Sequence, residues 1–355
     1  MYNVSMFRNE VQVSVCVPVY NSEKYLFRCL KSIATQSLEK KEIVIVNDAS
    51  SGMDSEGKDF FSIIKKFRKN FKLDINVIVH KKNLGLLEAR RSAVYAAKGK
   101  YICIVDSDDF LEPDALKNMY DAAEKNKADI IQGRVNVNYS QNAEIRSEEQ
   151  KEKLLKKMHA ANLVYSGELV TNDILEGFIL KKNHCGFLWG KLYLKEVYLE
   201  ALNHIPAMSC TMAEDLLQYF FIAYEAKKYV GIENIVYNYS LETGISSGKK
   251  KTDLCEWEKM CTIASVFSFL LNEMINEHPD LYKKEICYEI KKDCRFKLRN
   301  NLKQLEVSVP EEIKEDAYKM LCEYWGEDFV KEVETEQRTE AFSGAVGESV
   351  RTERE

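Results

Sequence analysis

The chain has 355 residues, of which 45% are hydrophobic and 30% charged, so it can bury a core and is neither disordered, collagen-like nor fibrous. A formal charge of −5 at pH 7 excludes the electrostatic footprint of a nucleic-acid binder. The longest apolar run, around Ile263–Leu271, is far too short to span a bilayer, and the polar stretch Met1–Glu10 does not read as a secretory signal.

The first half alternates strand and helix. Val11–Val19 reads as a buried strand holding Pro18. Ser22 is placed to cap the next helix, where Tyr25, Leu26, Cys29, Leu30 and Ile33 recur at helical spacing. Glu42–Val46 is a second strand, stopped by the turn formers Asn47-Asp48-Ala49-Ser50. A charged helix over Phe60–Asn70 and a third strand over Ile75–Val79 follow. The Ala-rich helix Leu86–Ala97 is closed by Gly99 as a C-terminal cap, and Tyr101–Val105 is a fourth strand running into Asp106-Ser107-Asp108-Asp109. This order predicts a parallel sheet covered by helices on both faces, with ligands at the carboxyl ends of the strands. Tyr20-Asn21, Asn47-Asp48 and Asp106–Asp109 all lie at those ends.

The middle is mixed. Strands are expected over Ile130–Val137 and Val230–Tyr239, and helices over Arg146–His159 and Ala213–Ala226. From about Thr252 the pattern is helical only. Leu254, Trp257, Cys261, Ala264, Phe267 and Leu271 form one stripe, and Ile286, Ile290, Cys294, Leu298 and Leu302 a second. A third helix, with Ala317, Leu321 and Tyr324, follows a capping box of Ser308 and Glu311. The division expected is a catalytic domain over 1–250, a helical extension over 251–330 and a disordered tail over 331–355.

Ten cysteines without a C-x-x-C pair predict a reducing, cytoplasmic setting. His184-Cys185 is a weak metal candidate, because the five histidines show no H-x-x-x-H spacing. The acidic loop is the sharper one. Carboxylates one residue apart at a strand end can hold a hard divalent cation and leave positions for phosphate oxygens. The competing reading is a solvated turn capping the helix near Pro113.

These segments resemble inverting family 2 glycosyltransferases of the bacterial surface-polysaccharide type. The resemblance runs through Val13–Asn21, Tyr25-Leu26, Cys29-Leu30, Ser32-Ile33 and Gln36, then Glu42–Ser50, Asn83-Leu84-Gly85, Ala89-Arg90, Gly99–Ile102 and Asp106–Asp109. It continues in Trp189-Gly190-Lys191-Leu192-Tyr193, similar to a W-x-K-L-Y element, in Glu214-Asp215, similar to an E-D motif, and in Tyr237-Asn238-Tyr239 with Ser246-Ser247. It departs at Asn47, where an acidic residue is common, and at Ala49, where glycine is usual.

The resemblance implies an α/β GT-A fold with a C-terminal helical extension, and a nucleotide-sugar donor, UDP-linked by first choice. It implies that Pro18 and Tyr20 flank the base, that Asp48 accepts a hydrogen bond from it, and that Asn83 and Arg90 line the donor pocket. Asp108, supported by Asp106, would hold Mn²⁺ or Mg²⁺ on the diphosphate, with Ser107 near the ribose. Asp215 would be the general base, Glu214 would orient the acceptor, and Trp189 would stack on a sugar face. The acceptor implied is a glycan or lipid-linked glycan, which adds the inner face of the membrane as a place for a peripheral enzyme. The C-terminal stripes predict an accessory module, with packing on the catalytic domain, self-association and membrane contact as the options. A nucleotidyltransferase of related fold and a non-catalytic glycan-assembly subunit are the alternatives. The first would normally carry a Gly-rich basic loop where Pro18-Val19-Tyr20-Asn21 stands.

Overall fold

The computed structural model describes residues 11–139, 147–208, 210–241, 253–279, 282–337 and 339. The chain divides into two units. One comprises Met1–Met208 and Glu214–Gly248, the other Ser209–Ala213 and Lys249–Glu355. The return of 209–213 to the second unit is not signalled in the sequence. The amide of Thr211 donates to Thr262 Oγ1 at 3.1 Å and ties this short stretch to helices that lie fifty residues later.

The first unit is built on a nine-stranded sheet. Its chain order is β1 (Val13–Val19), α1 (Glu23–Ala34), β2 (Lys41–Asn47), α2 (Phe60–Asn70), β3 (Ile75–Val79), α3 (Leu86–Ala96), β4 (Tyr101–Ile104), β5 (Phe110–Leu111) and α4 (Ala115–Asn126). Then come β6 (Ile130–Tyr139), α5 (Glu148–Ala161), β7 (Glu168–Val170), α6 (Asn172–Ile179), β8 (Lys191–Leu194), α7 (Lys195–Asn203), α8 (Glu214–Glu225) and β9 (Lys228–Leu241). The spatial order is β3-β2-β1-β4-β8-β6-β9-β5, with β7 on β9. The four strands β3, β2, β1 and β4 run parallel, as the βα alternation requires. Beyond β4 the sheet is mixed: β8 is antiparallel to both β4 and β6, and β9 runs parallel to β6.

Every residue of β1 is buried. Val13, Val15, Val17 and Val19 join Leu26, Cys29, Leu30 and Ile33 of α1 and Phe60, Ile63, Ile64 and Phe67 of α2 in one core. A strand buried on both faces explains the valine-rich run, in which even Ser14 is buried.

Three end signals work differently from their sequence reading. The Ser22 side chain makes no capping bond, and its hydroxyl meets Ser107 Oγ instead. Gly99 lies beyond the end of α3, which is capped at Ala97. It is small because a Cβ there would sit 2.5 Å from the backbone nitrogen of Ser14. The Ser308–Glu311 capping box does not form, because a helix runs through Lys284–Ser308 and a 3₁₀ turn, Glu311–Ile313, precedes the next.

The second unit contains α9 (Leu254–Cys261), α10 (Ile263–Asn272), a π-helical turn at Glu273–Glu277, α11 (Lys284–Ser308), α12 (Lys314–Trp325) and α13 over 327–337. Its apolar stripes cover one another. Trp257 is fully buried and its indole N–H donates to the Ala317 carbonyl at 2.9 Å. Phe267, Ile290, Leu298, Leu321 and Val330 are also fully buried. The stripes are buried within this unit, whereas Tyr288, Phe296 and Val307 of α11 remain exposed. Chain order does not stop at 331: α13 continues to 337 with Val333 fully buried, while 340–355 lies outside the described residues. No helix among the described residues is long and apolar enough to cross a membrane.

Candidate active site

The carboxyl ends of β1, β2 and β4 bring three loops together. The loop after β2 turns through Ala49, which adopts a left-handed φ of 57° that a glycine would adopt without strain. The Ser50 amide donates to Asn47 Oδ1 at 2.7 Å and closes the turn. Asp48 is buried inside it. Its carboxylate accepts from the amides of Leu84 and Gly85, each at 2.9 Å, and faces His80 Nδ1 at 2.7 Å. Gly85 is the residue before α3, so Asp48 caps that helix from another strand, where the helix dipole favours an anion. The Asn83 side chain donates to the Asp48 carbonyl at 3.4 Å. Asp48 and Asn83 are therefore brought together, but the carboxylate already holds the start of α3. Pro18 is buried in β1, and Tyr20, beyond its end, is 39% exposed.

The acidic loop after β4 is tied down at its far end. Asp109 is buried and accepts from Tyr237 Oη at 2.9 Å and from the Ser240 amide at 2.7 Å. Burial pushes its carboxyl well above the usual range, with Asp108 and Asp106 adding to the rise. The Arg28 guanidinium donates to the Asp108 carbonyl and to Ser240 Oγ, and lies 4.7 Å from the centre of the Phe110 ring. Asp106 and Asp108, by contrast, remain partly exposed. Ser107 is buried, with its hydroxyl 2.5 Å from that of Ser22. The sequence reading named Asp109 and Tyr237 within motifs but gave them no role, and it did not mark Arg28; in the structure all three hold the acidic loop.

Arg90 gathers the rest. It lies on α3, 1% exposed, and its guanidinium reaches Asp106 at 3.0 Å, Glu214 at 3.5 Å and Asp215 in a short ion pair. Glu214 and Asp215 open α8, where the helix dipole again favours acidic groups. The fold thus joins residues 90, 106, 214 and 215 around one cation. Burial pushes the Glu214 carboxyl up to about 8, with Asp215 adding to the rise and Arg90 opposing it. Burial also raises Asp215 above the usual carboxylate range, against the pull of Arg90. Asp215 keeps 22% of its side chain exposed and Glu214 keeps 11%.

One expectation is corrected here. Trp189 is 3% exposed and stacks against Phe187, Tyr237 and Tyr239, with ring centres 4.6–5.2 Å apart. A ring packed this way belongs to the core and offers no open face to a sugar. His184 is equally internal: it sits among Phe178, Tyr219 and Tyr229, and burial drives its imidazole down to about 3.

Among the described residues no group of three or more His, Cys, Asp and Glu side chains could hold a metal. Of the expected donors, Asp106 and Asp108 are both partly exposed, and Asp106 is also paired with Arg90. Two partly exposed carboxylates fit a hard cation that keeps its remaining positions for phosphate oxygens and water.

The sequence model of glycosyl transferase family 2 matches residues 14–194. A glycosyltransferase from Streptococcus pneumoniae serotype 4, GlyA, is 38% identical over 123 residues, which is 34% of this chain and 16% of that protein. A poly(ribitol-phosphate) beta-glucosyltransferase from Bacillus spizizenii is 34% identical over 130 residues, 35% of this chain and 19% of that protein. The chain thus spans under a fifth of the length of either relative. Among solved structures, S. aureus TarS 1-349 in complex with UDP-GlcNAc aligns over 92% of both chains at 18% identity with a TM-score of 0.53, a likeness of fold.

Proposed function

The chain belongs to glycosyl transferase family 2, and on that premise we propose that it transfers a sugar, with inversion, from a UDP-sugar to a hydroxyl of a bacterial surface glycan. The observation that carries the reading is Arg90, which binds Asp106 of the acidic loop with one arm and Asp215 of α8 with the other. Groups suited to a donor diphosphate and a group suited to an acceptor hydroxyl are thereby held on one buried cation. The glycan acceptor and the UDP donor follow what the similar proteins are named for and bind.

Asp215 is the general base. Burial raises its basicity, which suits the removal of a proton from a sugar hydroxyl. The acceptor O–H proton passes to the Asp215 carboxylate as the acceptor oxygen attacks the anomeric carbon. The bond from that carbon to the diphosphate oxygen breaks, and its electron pair leaves with the nucleoside diphosphate. Glu214, held neutral by burial, donates a hydrogen bond that orients the acceptor. As Asp215 gains its proton, Arg90 retains Asp106 and so keeps the acidic loop in place. Asp106 and Asp108 would hold Mn²⁺ or Mg²⁺, which supplies positive charge to the departing diphosphate. Asp48 acts by fixing the start of α3, and through it Arg90.

The test is to incubate the protein with UDP-, GDP-, dTDP- and CMP-sugars, Mn²⁺ and surface-glycan acceptors, and to read nucleotide release. UDP release that stops in excess EDTA is expected. Release from another nucleotide class alone would overturn the donor assignment, and full turnover in EDTA would overturn the metal requirement.

A further inference from the structure

The lysine of the W-x-K-L-Y element has no role in the mechanism above, and its surroundings are unusual. Lys191 begins β8 and is fully buried. Its ammonium donates to the Phe187 carbonyl, lies 3.4 Å from Cys185 Sγ and stands 4.8 Å from the centre of the Tyr219 ring. A carbonyl, a sulfur and a ring face are its near partners, and none is a carboxylate. Burying an ammonium on such terms is costly.

Tyr219 shows where that charge acts. It follows Asp215 by four residues on α8, so the ring and the Asp215 carboxylate share one face of the helix. An ammonium against the Tyr219 ring therefore lies toward the face of α8 that carries Asp215. Burial lowers the Lys191 ammonium, while Cys185 and Asp215 support its charged form.

Arg90 and Lys191 are the two cations beside Asp106, Glu214 and Asp215, and burial pushes the Glu214 carboxyl up to about 8, toward its neutral form. Without Lys191, one buried guanidinium would serve two carboxylates, with the donor diphosphate added beside Asp106.

We propose that Lys191 is a positioning residue for glycosyl transfer, whose buried ammonium keeps Asp215 ionised and ready to accept the acceptor proton. The proposal rests on the reading of Asp215 as the base. The titratable and charged groups that act electrostatically on Asp215 are Arg90 from α3, Asp106 after β4, Tyr198 from α7, Tyr193 and Lys191 from β8, and Glu214 on its own helix. Of these, Arg90 and Lys191 are the cations. Arg90 stands between Asp106 and Asp215, so Lys191 is the cation that acts on Asp215 without also serving the acidic loop.

The experiment compares Lys191→Met, Lys191→Arg and Lys191→Gln with the wild type in the full chain. UDP affinity is read by calorimetry, and kcat is followed across pH. Methionine keeps the length and removes the charge. It should leave UDP affinity unchanged and move the acidic limb of the kcat profile to higher pH by about one unit, so that kcat falls about tenfold at pH values well down that limb and by less above its midpoint, since one unit is a factor of ten. Glutamine should behave as methionine does and serves if the methionine variant does not fold. Arginine should return the limb to its wild-type position. An unmoved limb in the neutral variants, or an arginine variant as impaired as the neutral ones, would overturn the proposal. Asp215→Asn run in parallel separates the two readings. If it is inactive while the limb stays unmoved, the role of Lys191 alone fails; if it retains full turnover, the base assignment fails and the proposal with it.

Discussion

Glu214 and Asp215 are chemically near-identical neighbours that the fold drives to different tasks. Glu214 has the less exposed side chain and the longer contact to Arg90, and it is the one pushed up to about 8. This has a measurable sign. Between its ordinary value of 4.5 and about 8, the folded chain holds a proton that the unfolded chain has released. The contribution of Glu214 to stability is therefore fully present below about 4.5 and is lost as pH rises to 8. Glutamine removes the titration and keeps the shape. Glu214→Gln should match the wild type in urea unfolding at pH 4.5 and exceed it at pH 8, by on the order of 1–3 kcal/mol. A difference that runs the other way would mean that Glu214 is ionised in the folded state. At this scale the sequence was least informative. It marked residues 90, 106, 214 and 215 by motif, yet nothing in it said that one guanidinium joins them. It gave Asp48 and Trp189 roles toward ligand, whereas one is engaged by the amides of Leu84 and Gly85 and the other by three rings. Such partners come from distant segments, and no local pattern reports them.

The elements themselves were more legible. Phe60–Asn70 and Ile75–Val79 form with the expected bounds, because alternation and turn chemistry are local properties. Misreadings cluster where a local signal is reused by tertiary packing. Gly99 reads as a helix cap and is in fact the place where the chain passes close to β1. The Ser14 hydroxyl accepts from the Gly99 amide at 2.8 Å, and Ser14 in turn donates to Glu42 at 2.6 Å. A methyl group there would meet the backbone of Val13 and Ser14, which the sheet holds fixed. Gly99→Ala should lower stability by about 1–3 kcal/mol, seen as a fall in Tm, because the obstruction is main chain and not a flexible side chain. An unchanged Tm would show that the start of β4 can move away from β1.

For the molecule as a whole, chemistry and helical extension fall in different units. Residues 48, 90, 106, 108, 214 and 215 all belong to the first, and the second has a core of its own. Trp257→Ala removes a fully buried ring and its hydrogen bond to Ala317, and should destabilise the second unit by about 3–5 kcal/mol. Calorimetric UDP affinity, measured below the unfolding transition, should stay at the wild-type value; a large loss would show that the second unit shapes the donor site. The central claim is narrower: Asp215 moves the proton and does not hold the donor. Asp215→Asn keeps the side chain's shape and removes its basicity. Isothermal calorimetry of the nucleotide-sugar should give nearly wild-type affinity, beside turnover lower by about 10²–10⁴-fold. Affinity and turnover falling together, or turnover left intact, would contradict the account.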